Sequence, residues 1–155
     1  MKTWQRILVV TVLLGIGTFV GFNRLADGER MNRLSMSNLR VIGLGVMMYA
    51  DDWDSKLPNL SDAQSLKKAV AGNIATDKSK AEIYFVHPKT GIPYQPNSSL
   101  SYKELRELKA PSEIAVVYED APARDGTRGV LFGDCHVERV NESRWQLLKK
   151  TSNIL

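Results

Sequence analysis

Asp51, Asp52 and Asp54 stand within four residues of one another, and hard carboxylate oxygens at near-alternate positions can converge on a calcium ion. They are the chain's calcium candidates. No glycine follows the Asp-x-Asp and no glutamate closes a recognisable loop, so a solvated helix end is the simpler account and no cofactor is expected. Asp134, His136 and Glu138 invite an acid–base reading. His136 and Glu138 flank Val137 on an alternating run, however, which puts both on one strand face and makes a polar hairpin face the better account. His87 precedes Pro88 in a loop, where a structural or exposed role is expected. Cys135 is the only cysteine, so neither an intramolecular disulfide nor a Cys-x-x-Cys metal knuckle can form. At a turn tip it reads as an exposed thiol. The serines include no Gly-x-Ser-x-Gly elbow, and Gly126-Thr127-Arg128-Gly129 lacks the following helix that a phosphate cradle needs. No enzyme is expected.

The composition agrees with a single globular body. Of 155 residues 43% are hydrophobic and 25% charged, a balance unlike that of disordered or collagen-like chains. The net charge is +4. Lys67-Lys68 and Lys149-Lys150 are isolated pairs, with no basic stripe interleaved with aromatics, so nucleic acid is not an expected partner.

Residues 7–22 (ILVVTVLLGIGTFVGF) carry no charge, with Lys2 and Arg6 before them and Arg24, Asp27, Glu29 and Arg30 after. As a helix this run spans about 24 Å, short of the ~30 Å hydrocarbon core, with Trp4, Arg6 and Arg24 at the interfaces. A cleavable secretory signal shares this pattern, but no small-x-small site follows the run closely. The expectation is an uncleaved single-pass anchor in membrane lipid over residues 1–28, N-terminus inside, with residues 29–155 exported.

Beyond it, residues 29–51 read as an amphipathic helix. Ser35, Leu39, Ile42, Val46 and Tyr49 recur at spacings of four and three and form one packing face. Gly43 and Gly45 each weaken a helix interior by about 1 kcal/mol relative to Ala, for which close packing against a sheet is a reason. Ser61-Asp62-Ala63-Gln64 and Ser101-Tyr102-Lys103-Glu104 have the capping-box pattern and predict two helix starts. A short strand is predicted over 83–86, then an ordered loop or linker to Asn97. Residues 114–118, 129–132 and 136–140 predict three strands, the last two joined by a tight Asp134-Cys135 hairpin turn. Asn141 is placed to cap a final helix bearing Trp145 and Leu148.

Two stretches of this chain resemble a known family. Residues 37–58, with Ser37-Asn38-Leu39-Arg40-Val41-Ile42-Gly43, Met48-Tyr49-Ala50-Asp51-Asp52 and Lys56-Leu57-Pro58, are similar to the helix end "NLRQIG…MYADDNDGKLP" of type IV pilin-like and type II secretion pseudopilin-like proteins. Residues 130–138 (VLFGDCHVE) resemble that branch's "NVLFADGHVE" hairpin, and Trp145, Pro96-Asn97 and Pro111-Ser112 follow in family order. The Gly-Phe-Thr-Leu-Ile-Glu that usually precedes the apolar run is replaced by Met1-Lys2-Thr3-Trp4-Gln5-Arg6. The resemblance implies an α+β fold, a long helix first membranous and then amphipathic, packed on a small antiparallel sheet. It implies a structural subunit of a pilus-like or secretion assembly in the bacterial inner membrane, its C-terminal domain periplasmic. The partners would be other pilin-like subunits or secretion-machine components, met through the helix face of Leu39, Ile42, Val46 and Tyr49. The alternative is a stand-alone, membrane-anchored binding module that uses its loops on an extracytoplasmic ligand.

Overall fold

Helix α1 (Thr3–Asp52) ends where its backbone turns left-handed. Asp54 and Ser55 have φ of 52° and 62°, and the carbonyl of Ala50 accepts from the amides of Trp53 (3.2 Å) and Ser55 (2.8 Å). Pro58 then follows, which cannot extend a helix. A computed structural model describes the backbone of residues 3–154 and the side chains of residues 27–77 and 79–154. The chain divides into two compact units, Met1–Met31 and Asn32–Leu155. Among the residues whose side chains are described no helix is long and apolar enough to cross a membrane; the apolar run 7–22, the expected anchor, lies outside them.

The second unit is α+β. Its sheet has four antiparallel strands in the order β1 (Gln95–Pro96), β2 (Ala115–Tyr118), β3 (Thr127–Phe132) and β4 (Val137–Asn141). Alternation along the strands sends apolar side chains to both faces. On one face Leu131 and Val117 meet Leu39, Ile42 and Val46 of α1, together with Leu66 and Val70 of α2 (Ala63–Ile74). On the other, Ala115, Val130, Phe132 and Val140 meet Trp145 and Leu148 of α4 (Glu142–Thr151). Asn141 caps α4, its Oδ1 accepting from the Arg144 amide at 2.9 Å, as its residue type predicts. Arg128, on that same side, lies 4.5 Å over the Trp145 ring and donates to the carbonyls of Glu119 and Asp120.

Gly43 and Gly45 of α1 are contact points. A Cβ on Gly43 would stand 2.8 Å from Leu131 of β3, and one on Gly45 would stand 2.8 Å from Ile74. The sheet therefore accounts for the first, and α2 for the second.

Several local expectations are corrected. The cap of α2 is Asp62, whose Oδ1 accepts from the Ser65 amide at 2.8 Å; Ser61 donates its hydroxyl proton to Asp62 instead of capping. The second box opens no α-helix. Tyr102 is left-handed at φ 61°, the Ser101 hydroxyl accepts from the Leu60 amide, and only a 3₁₀ turn, Leu105–Glu107, forms. The predicted strand over 83–86 is replaced by α3 (Lys78–Ala81) and a 3₁₀ turn, Glu82–Tyr84. There the Asn38 side-chain amide donates to the carbonyls of Ile83 and Val86, groups that a strand would have offered to a neighbour.

Candidate functional site

The most unusual chemistry of the second unit is buried. Ser35 occupies the first position of the packing stripe on α1, where every deeper position is apolar, and it is 0% exposed. A hydroxyl in such a place needs a partner. It donates to Glu119 Oε1 at 2.5 Å and lies 2.8 Å from the Tyr94 hydroxyl. Glu119 follows the apolar strand β2, is only 3% exposed, and lies 3.3 Å from Nη1 of Arg139 on β4. Arg139 is held in turn by the Thr127 hydroxyl and carbonyl, each at 2.8 Å. The second carboxylate oxygen, Glu119 Oε2, is buried without a hydrogen-bond partner. Burial raises the Tyr94 hydroxyl to about 12, so it stays a neutral donor across the physiological range.

His87 borders this cluster. Its Nε2 is 3.8 Å from Glu119 Oε1, while its Nδ1 accepts from the amides of Lys89 (3.2 Å) and Thr90 (3.3 Å). Burial holds the ring's pKa below its ordinary value against the pull of Glu119, and Arg139 and Lys89 add to the lowering. The structural role expected of His87 is therefore the cap of a tight turn. A serine bonded to a carboxylate suggests nucleophilic chemistry, but no substrate reaches a hydroxyl that is wholly enclosed. The cluster joins α1, the 85–94 loop, β2 and β4.

The residues singled out from sequence lie elsewhere. Leu39, Ile42 and Val46 are buried in the chain's own core and Tyr49 packs against it, so this face is covered by the sheet and α2. The expectation that it meets neighbouring subunits is corrected. Asp51, Asp52 and Asp54 are all exposed at the end of α1. Consecutive helical residues point about 100° apart, and among the described residues no group of three His, Cys, Asp or Glu side chains is placed to hold a metal ion. The calcium candidates are not brought together.

The hairpin between β3 and β4 has a three-residue loop. The Cys135 amide donates to the Phe132 carbonyl at 2.9 Å and the Phe132 amide to the His136 carbonyl at 3.0 Å. Cys135 alone in the loop has positive φ, 67°, so the turn has the single left-handed position of a bulged hairpin and not the two of a primed turn. Its thiol is half-buried, 3.7 Å from the Gly43 carbonyl, which corrects the exposed thiol expected. Burial, with Asp134 alongside, pushes it to about 11. Partial burial works against ionisation of Asp134, yet the His136 side chain and amide hold its carboxyl below the usual range. His136 lies flat on Phe132, ring centroids 4.2 Å apart, and Glu138 shares its exposed face 4.0 Å away. That is the polar hairpin face expected.

No family model, curated protein or solved structure matches the chain.

Proposed function

We propose that the chain is a membrane-anchored, pseudopilin-like structural subunit of a type II secretion or type IV pilus-like assembly. One observation carries the reading. Opposite the buried stripe, α1 has a second apolar stripe that the domain leaves uncovered: Leu34, Leu44 and Met48 are 42%, 62% and 42% exposed, with half-buried Val41 between them. Leu34, Val41, Leu44 and Met48 are spaced by seven, three and four residues. This is the spacing at which helices pack side by side along a seam. The occupant in this reading is α1 of a neighbouring subunit, and the uncharged run 7–22 holds the subunits in one bilayer. The face differs from the one expected at Leu39 and Ile42. An α+β domain with a four-stranded antiparallel sheet is compatible with the pilin-like resemblance of residues 37–58 and 130–138.

The test is carried out on the full chain in bacterial cells. The protein is expected in the carbonate-resistant inner-membrane fraction with its N-terminus intact, and crosslinking should capture it with another copy or another pilin-like subunit. Leu44→Asp should abolish that crosslink and leave the domain folded. A soluble protein with a new N-terminus beyond residue 22 sinks the anchor. Crosslinks that survive Leu44→Asp remove this stripe from the interface, and an anchored protein with none leaves the stand-alone binding module as the function.

A further inference from the structure

We infer that His87 is a proton-operated latch on the turn formed by residues 87–92. In the neutral ring Nδ1 is an acceptor, and it takes the amide protons of both Lys89 and Thr90. The proton of the neutral ring is therefore on Nε2, facing Glu119 Oε1 at 3.8 Å. Adding a proton to Nδ1 turns that acceptor into a donor pointing at two other donors. The cap is lost at once, and the turn keeps the Gly91 amide on the His87 carbonyl and the His87 amide on the Ile92 carbonyl, each 2.8 Å, with the Ile92 amide on the Thr90 hydroxyl at 3.3 Å.

The protonated ring has somewhere to go. Glu119 is a buried carboxylate with Oε1 engaged by Ser35 and Arg139 and with Oε2 unpartnered. A buried acceptor without a donor is costly, and a charged donor satisfies it well. The ring thus exchanges two amides of its own turn for a carboxylate at the end of β2. The charged groups that face it are Glu119, which favours the protonated state, and Arg139 of β4 and Lys89 of the turn itself, which oppose it. Burial opposes it too, so the exchange takes place on the acid side of an ordinary histidine.

The variant His87→Asn separates the cap from its titration, because an asparagine Oδ1 can accept from amides two and three residues on and takes up no proton. The full chain in detergent micelles is followed by NMR from pH 7.5 to 5, reading the His87 ring carbon–proton signal and the hydrogen-exchange protection of single amides. As His87 takes up its proton, protection at Lys89 and Thr90 should fall at least tenfold while Val117 and Leu131 keep theirs. In His87→Asn it should persist throughout. Glu119→Gln, if it folds, should move the ring's titration to still lower pH. The latch is overturned if Lys89 and Thr90 stay protected after His87 has titrated, if His87→Asn loses protection over the same range, or if the ring stays neutral down to pH 5.

Discussion

Ser35 on α1 gives its hydroxyl proton to Glu119, 84 residues further along the chain, over 2.5 Å. The bond ties the helix to the sheet through two side chains that are both out of water, so removing one partner costs the other a buried hydrogen bond that water does not replace. Ser35→Ala is expected to lower unfolding stability by about 2 kcal/mol, read from the denaturant midpoint of the full chain. An unchanged midpoint would mean that Arg139 alone satisfies the carboxylate.

Gly45→Ala tests how closely α1 and α2 approach. Alanine favours the helix by about 1 kcal/mol, yet its methyl would stand 2.8 Å from Ile74 Cγ1 and 3.4 Å from Val70 Cβ. Both neighbours are stiff, β-branched side chains. Overpacking of this kind typically costs about 1–3 kcal/mol, so a net loss of about 1 kcal/mol is expected in thermal melts. A gain would mean that α2 can move aside.

Cys135 holds a left-handed φ that a side chain opposes by roughly 1–2 kcal/mol. Cys135→Gly should therefore melt above Cys135→Ala, with about 1 kcal/mol between them, since both lose the thiol and only one keeps the strain. The same thiol should react slowly. With its pKa pushed from 9.0 to about 11, alkylation at pH 8 should run roughly a hundredfold slower than in the unfolded chain. Labelling at the unfolded rate would place the sulfur outside the fold.

Tyr94 supplies the alkaline counterpart. Its folded-state pKa of about 12 stands above the ordinary 10.0, so the folded chain holds this proton more tightly than the unfolded one. The associated stability is complete below pH 10 and is lost as pH rises from there towards 12. Tm should fall over that window, and Tyr94→Phe should flatten the fall. An equal slope in both proteins would assign it to other groups.

Calcium should change little. With Asp51, Asp52 and Asp54 exposed and not gathered into one ligand set, millimolar calcium is expected to leave Tm where it was, because a ligand stabilises only the state it binds. A saturable rise, abolished by Asp52→Ala with Asp54→Ala, would overturn this.

Periodicity read the long-range skeleton well, and local chemistry read the connections poorly. The stripe from Leu39 to Val46, the three strands around Val117, Val130 and Val140, and the Asn141 cap were all legible, because burial repeats with the period of the element. Residues 83–86 look like a strand by composition, but a side chain 45 residues away, Asn38, claims the carbonyls. The Ser101 pattern failed for a similar reason, its hydroxyl being taken by Leu60. The cluster around Glu119 left one trace in the sequence, a serine in an otherwise apolar stripe. Nothing local to Ser35 says that its partner is Glu119.

Strand β1, only two residues long and ending in Pro96, stands at one margin of the sheet. Proline has no amide proton to offer, and so short a strand exposes almost no free ladder. At that margin the domain refuses the commonest unplanned association between sheet proteins, in which one molecule's strand continues another's. Copies crowded together would then be kept from fusing through β1 into an extended sheet, and contact at that margin is left to side chains.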